Sequence, residues 1–99
     1  MLDIVINKQV RGYILKVLKL SYPHPLGSNV IDTCLVDAAM SVSPTQLQGH
    51  LQYLAERQYL CLKKTTLEIT GTVIYLVTLS AKGIDLLEKT ISDPGVTIK

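Results

Sequence analysis

Between Ser43 and Ser80 the apolar residues change their period, and that change limits what the chain can fold into. In "SPTQLQGHLQYLAERQYL" Leu47, Leu51, Leu54 and Ala55 recur at the three-and-four spacing of one helix face. From Tyr59 the pattern shortens to alternation. "YLCLKKTTLEI" and "TVIYLVTLS" are rich in β-branched and aromatic residues and flank Thr70-Gly71, which reads as a β-hairpin. The helix has a marked start: Ser43 is a cap, Pro44 suits the first helical position, and Gln46 completes a capping box. The expected helix covers residues 44–58. A helix running into a hairpin within one short chain means an α+β fold.

The other elements follow from the same rules. "LDIVI" (2–6) reads as a short strand or an arm, with Asn7 as a cap. Val10, Ile14, Val17 and Leu18 form a helical stripe beside Tyr13, and this helix stops near Leu20, because "SYPHPLG" holds two prolines and a glycine. Ser28 or Asn29 can cap a second helix, whose core stripe is Ile31, Cys34, Leu35, Ala38 and Ala39. Ser80 caps a last helix with Ile84, Leu87 and Ile91 on one face and Leu86 alongside, ended by Asp93-Pro94-Gly95. "VTIK" is a tail.

Ninety-nine residues form one domain, 1–99, with a single modest core. Charged residues are 18% and hydrophobic ones 47%, and the mean hydropathy of +0.30 is high for a small soluble monomer. Apolar surface covered by a partner, most simply a second copy, accounts for it. The net charge of +2 permits nucleic-acid binding without arguing for it. Cys34 and Cys61, inside apolar runs, read as buried thiols rather than a disulfide. No signal peptide and no span of membrane length is legible, so the expected location is cytoplasmic.

Helix, helix, capped helix, hairpin, helix is the order of a winged helix-turn-helix domain, and the resemblance covers nearly the whole chain. "SPTQLQGHLQYLAERQYL" is similar to the recognition helix of small bacterial transcriptional regulators of the multidrug-resistance and phenolic-acid repressor types. "YLVTLSAKGIDLLEK" resembles their wing-to-last-helix junction, here Leu79-Ser80-Ala81-Lys82-Gly83. The resemblance implies a third helix in the major groove, a wing on the backbone or minor groove, and terminal helices that dimerise. Two departures stand out. The family usually has glycine where this chain has Gln58, because the helix ends there in a left-handed turn. Its wing usually carries basic residues near the tip, whereas "TTLEITGT" holds Glu68 and no base.

The residues expected to meet DNA are Ser43, Thr45, Gln46, Gln48, Gly49, His50, Gln52, Tyr53, Arg57, Lys63 and Lys64. Glutamine can pair with adenine through two hydrogen bonds, threonine can touch a thymine methyl, and Gly49 lets a backbone approach closely. The competing reading is that these residues, with Glu56, only solvate a structural helix. Lys8, Arg11, Lys16, Lys19 and Lys82 are further cations for phosphates, although Lys16 and Lys19 also fit a plain solvated face. Lys63 and Lys64 are adjacent on a strand and point to opposite faces.

His24 and His50 lack the ligand spacing of a metal site, and no nucleophile-base set or phosphate-cradling glycine loop is present. No cofactor, metal or catalysis is expected, and no effector pocket is legible. Leu2, Ile4, Ile84, Leu86, Leu87 and Ile91, with Ile6, Val96 and Ile98, form either a dimer seam or the lid of the core. Two functions follow. One is a homodimeric transcriptional regulator binding double-stranded DNA. The other is a winged-helix protein-interaction module, of host or phage origin, without DNA binding. The charge around the third helix separates them.

Overall fold

The computed structural model describes residues 2–98, Leu2 by its backbone alone. The elements are α1 (Leu2–Ser21), β1 (Leu26–Gly27), α2 (Ser28–Asp37), α3 (Pro44–Glu56), β2 (Leu60–Thr66), β3 (Val73–Leu79) and α4 (Ala81–Leu87). They make an α+β fold of four helices and a three-stranded antiparallel sheet in the order β1-β3-β2. The hairpin register sets Leu60 opposite Leu79 and Thr66 opposite Val73. β1 lies along the other edge of β3, with Leu26 opposite Val77.

The core lies where the helices meet one face of this sheet. Val10, Ile14, Leu15 and Leu18 of α1 pack with Ile31 and Leu35 of α2 and with Leu47, Leu51 and Leu54 of α3. Leu60, Val77 and Leu79 supply the sheet side, and Leu86 and Val96 close it. Truncating a side chain such as Leu54, which is fully buried, to alanine costs about 2–5 kcal/mol.

Three helices end in the same way. After α2, α3 and α4, Ala39, Gln58 and Lys89 adopt left-handed backbone at φ 57°, 68° and 63°. Behind α3 the Gln58 amide donates to the Ala55 carbonyl at 2.9 Å and the Tyr59 amide to Leu54 at 3.0 Å. This pair of bonds satisfies the last carbonyls of the helix. Gln58 therefore occupies the left-handed position without being a glycine, and α3 ends at Glu56 with Arg57 as its cap.

Several expectations are corrected. Residues 2–6 are neither strand nor arm but the first turns of α1, and Asn7 lies inside that helix. The helix disfavour of Ile4, Val5 and Ile6 is only a fraction of a kcal/mol each. Lengthening an existing helix also avoids a new nucleus. The cap of α2 is Gly27, and the hydroxyl of Ser28 instead accepts from the Tyr75 amide at 3.1 Å. Of the α2 stripe, Ile31 and Leu35 are buried, whereas Ala39 lies outside the helix and is exposed. α4 is shorter than its apolar spacing implies, because the turn at Lys89 stops it before Ile91. Cys61 is exposed and Cys34 half-buried, so neither is the buried thiol expected. Cys61 lies on the outer face of β2, opposite Thr78.

The tail is also structural. Thr97 donates its amide to the Lys8 carbonyl at 3.1 Å. A Cβ on Gly12 would collide with the Thr97 carbonyl, so glycine lets the tail lie directly on α1.

Candidate nucleic-acid interface

The helix α3 begins with its capping box formed. The Ser43 hydroxyl accepts from the Gln46 amide at 3.1 Å, and the Ser43 amide donates to Gln46 Oε1 at 3.0 Å. Pro44 occupies the first turn. One side of the helix is buried through Leu47, His50, Leu51 and Leu54. The other is open: Thr45, Gln48, Gly49, Gln52 and Glu56 are exposed. No atom lies within 4 Å of where a Gly49 Cβ would stand. Gln48 reaches the sheet, donating from Nε2 to the Tyr75 hydroxyl at 3.3 Å. Tyr75 is opposite Lys64 on β2, so α3 and the hairpin form one continuous surface.

Not every residue expected on this surface is there. Ser43, Thr45, Gln46, Gln48, Gly49 and Gln52 lie along its exposed side, as does Lys64 on the hairpin, whereas Lys63, opposite Leu76, is exposed on the other face of the sheet. Gln46 is partly committed, because its side-chain oxygen serves the cap. His50 is only 6% exposed and is corrected from a surface donor to an interior acceptor. The spacing that groups it with Gly49 and Gln52 is ambiguous at the edge of the stripe, and a partner on α1 draws it inward.

That partner is Arg11. Its Nε donates to His50 Nδ1 at 3.2 Å, and another guanidinium nitrogen donates to the Gly95 carbonyl at 3.1 Å. Accepting at Nδ1 puts the imidazole proton on Nε2. Burial, reinforced by the adjacent Arg11 cation, holds the His50 pKa below its ordinary value. The Arg11 guanidinium also lies 3.9 Å from the Tyr53 ring centroid, and that of Arg57 lies 5.1 Å away. Tyr53 is thus half-buried between two cations and is no free base-reader.

Arg57 is committed too. It donates to the Tyr53 hydroxyl at 3.0 Å and pairs with Asp93 at 3.3 Å. The Asp93 side chain is nearly sealed, with 2% exposure. It accepts from the Tyr59 hydroxyl at 2.6 Å and from the Gly95 amide at 2.7 Å. Burial alone would raise the Asp93 pKa, but the bonds from Tyr59 and Gly95 and the charges of Arg57 and Lys82 outweigh it, and the pKa is lowered. Burial, with the same carboxylate, pushes the Tyr59 hydroxyl up to about 12. The sequence gives little sign of this network. Its long-range bonds join residues 34 to 84 positions apart, and Asp93 reads in sequence as part of a helix-ending turn.

Of the residues expected in a dimer seam, Leu86 is 2% exposed and belongs to the core. Ile84, Leu87 and Ile91 pack half-buried against it. Val96 is buried and Ile98 half-buried. In a single copy of the chain the last helix and tail therefore cover the core. The side chain of Leu2 lies outside the described residues. Ile4, Val5 and Ile6 remain about half exposed on the first turns of α1, at 53%, 50% and 43%.

An open groove of about 390 Å³ runs beside α3, between the start of α2 and the start of β3. Its walls include Ser28, Asp32, Leu47, Gln48, Val73 and Tyr75. Among the described residues, no group of three or more His, Cys, Asp or Glu side chains could hold a metal ion. No described helix is long and apolar enough to cross a membrane. No known family, curated protein or solved structure gives a significant match to this chain.

Proposed function

We propose that this chain is a winged-helix protein that binds double-stranded DNA, with α3 in the major groove and the β2–β3 hairpin as the wing, acting as a transcriptional regulator. The element order and the capped α3 running into a hairpin support the fold reading. One observation carries the function: the outer face of α3 presents Thr45, Gln48 and Gln52 around Gly49, with open space above that glycine. A major groove admits a helix of this width. Gln48 and Gln52 are the base-readers, and Thr45 stands at the start of the helix, where contacts to phosphate and thymine methyls are made. Lys64, on the α3 side of the hairpin, grips a phosphate. The half-exposed Ile4, Val5 and Ile6 are the dimer surface, and two-fold pairing sets half-sites about 34 Å apart.

Fluorescence anisotropy with random-sequence duplex DNA across a salt series tests this. Arg11 and Arg57 are engaged by groups of the chain itself, Arg57 with 47% of its side chain still exposed, so few phosphates are neutralised. The expected log-log salt slope is shallow, about −2 to −4. Lys64→Ala should make it shallower by about one, and Lys63→Ala, on the opposite face of the strand, should leave it unchanged. Gln48→Ala should leave the slope alone and relax preference among duplexes. No binding at low salt refutes the proposal.

The same commitment of Arg11 and Arg57 favours a second reading. With Arg57 paired to Asp93, Arg11 bound to His50 and Glu56 exposed beside Gln52, the α3 face is close to neutral. A neutral polar face suits a protein-interaction module of the same fold. Absence of DNA binding together with capture of a protein partner through α3 would establish it.

A further inference from the structure

The groove beside α3 has a feature that a plain apolar crevice lacks, namely an open strand edge along one wall. β1 pairs with β3 only through Leu26 opposite Val77 and Gly27 opposite Leu76. The chain then turns away into α2, and β3 continues past it from Tyr75 back to Val73. The direction of the backbone groups there is fixed by two bonds. The Tyr75 amide donates toward the β1 side, to the Ser28 hydroxyl at 3.1 Å. The Thr72 carbonyl accepts on the β2 side, from the Leu67 amide at 2.8 Å. Backbone groups alternate along a strand, so the amide and carbonyl of Val73 and the carbonyl of Tyr75 face the groove.

We infer that this groove receives an extended peptide segment of a partner protein, which adds as a short strand beside Val73–Tyr75 and carries a basic side chain to Asp32. Strand addition of this kind takes affinity from main-chain bonds and specificity from alternate side chains. The open edge spans three residues, about 10 Å of strand, along a groove of about 390 Å³. Side chains on one face of the added strand meet Leu47 and Val73, the latter 50% exposed. Asp32 is the acidic side chain of the groove wall, so the complementary residue is lysine or arginine. The outer edge of β2 is also unpaired, but Lys64 there is the kind of residue that discourages pairing. This inference does not depend on DNA binding by α3.

The test is a titration of the full chain, followed by amide chemical shifts, with acetyl-Lys-Val-Thr-Val-Lys-amide and with its counterpart bearing glutamate for both lysines. Shifts centred on Val73, Tyr75, Ser28 and Asp32 are expected, with slowed hydrogen exchange at Val73 and weaker binding of the glutamate peptide. The contact area is small, so a Kd in the micromolar to millimolar range is expected. Val73→Pro removes an amide that points away from β2 and leaves the hairpin ladder intact. It should weaken the lysine peptide about tenfold, the scale of one good hydrogen bond. Should that variant misfold, Asp32→Asn is the second probe, with an expected loss of about two- to fivefold for the lysine peptide. The inference is overturned by any of three results: equal binding of both peptides, shifts on the β2 edge or on α1, or no shifts at millimolar peptide. It is equally overturned if random duplex DNA or self-association perturbs these amides and the peptide does not.

Discussion

Gln58 is the clearest place to test the backbone of the candidate interface by one substitution. It holds φ 68°, a conformation that costs an L-residue about 1–2 kcal/mol. Glycine escapes that cost but loses about 0.5–1 kcal/mol more conformational freedom on folding. The net gain for Gln58→Gly is about 0.5–1 kcal/mol. In a domain of this size each kcal/mol moves Tm by about 4–8 °C, so Tm should rise by about 2–8 °C. The bonds that define the turn survive the change. They run from the Gln58 amide to Ala55, from the Tyr59 amide to Leu54, and from the Ser80 hydroxyl to the Gln58 carbonyl at 2.6 Å, and none uses the glutamine side chain. Thermal unfolding followed by circular dichroism is the assay, with Gln52→Gly as control. That residue is exposed inside α3, and glycine there should cost about 1 kcal/mol. If Gln58→Gly lowers Tm as the control does, the residue is not left-handed and this account of how α3 ends is wrong.

Other consequences are equally direct. Tyr59→Phe removes a 2.6 Å bond to a sealed carboxylate and should cost about 1.5–3 kcal/mol, read by urea unfolding; an unchanged midpoint would mean that Asp93 does not depend on Tyr59. Gly12→Ala forces a methyl into the Thr97 carbonyl and should cost about 1–3 kcal/mol, with Thr97 losing its amide protection, whereas retained protection would show that the tail is not seated on α1. The lowered pKa of His50 means that the unfolded chain takes up its proton first as pH falls. Stability is therefore complete above the ordinary value of 6.5 and declines below it, by at most about 1.4 kcal/mol per pH unit for one proton. The lowered pKa of Asp93 adds a second loss only below about pH 4. His50→Gln should flatten unfolding curves between pH 6.5 and pH 5, and an undiminished slope in that variant would assign the acid sensitivity elsewhere.

How far the fold was legible depended on whether its cause was local. The start of α3 was readable because a cap, a proline and a reciprocal glutamine act within four residues of one another. The hairpin was readable because a period of two is a property of the strands themselves. The first turns of α1 were misread for the opposite reason: Ile4, Val5 and Ile6 favour a strand locally, yet a long helix behind them extends more easily than a new strand forms. β1 left no pattern at all. It is two residues long, and what makes it a strand is the free edge of β3, some 50 positions away.

The candidate site divides along the same line. Thr45, Gln48, Gly49 and Gln52 were found because facing away from a leucine stripe is a matter of helix geometry. His50, Tyr53 and Arg57 lie on the same helix and were grouped with them, but each is claimed by a residue far along the chain. Arg11 takes His50 and stacks on Tyr53, and Asp93 takes Arg57. Counting cations in the sequence therefore overstates the charge this surface can offer to phosphate. The two arginines of the network fix the orientation of α3 against α1 and the tail, while Lys64 is left on this surface and Lys63 on the opposite face of the sheet. A DNA-binding reading thus implies weak, shallow-sloped non-specific binding, with discrimination coming from the glutamines. The salt slope and the effect of Gln48→Ala together separate this arrangement from a phosphate-driven one.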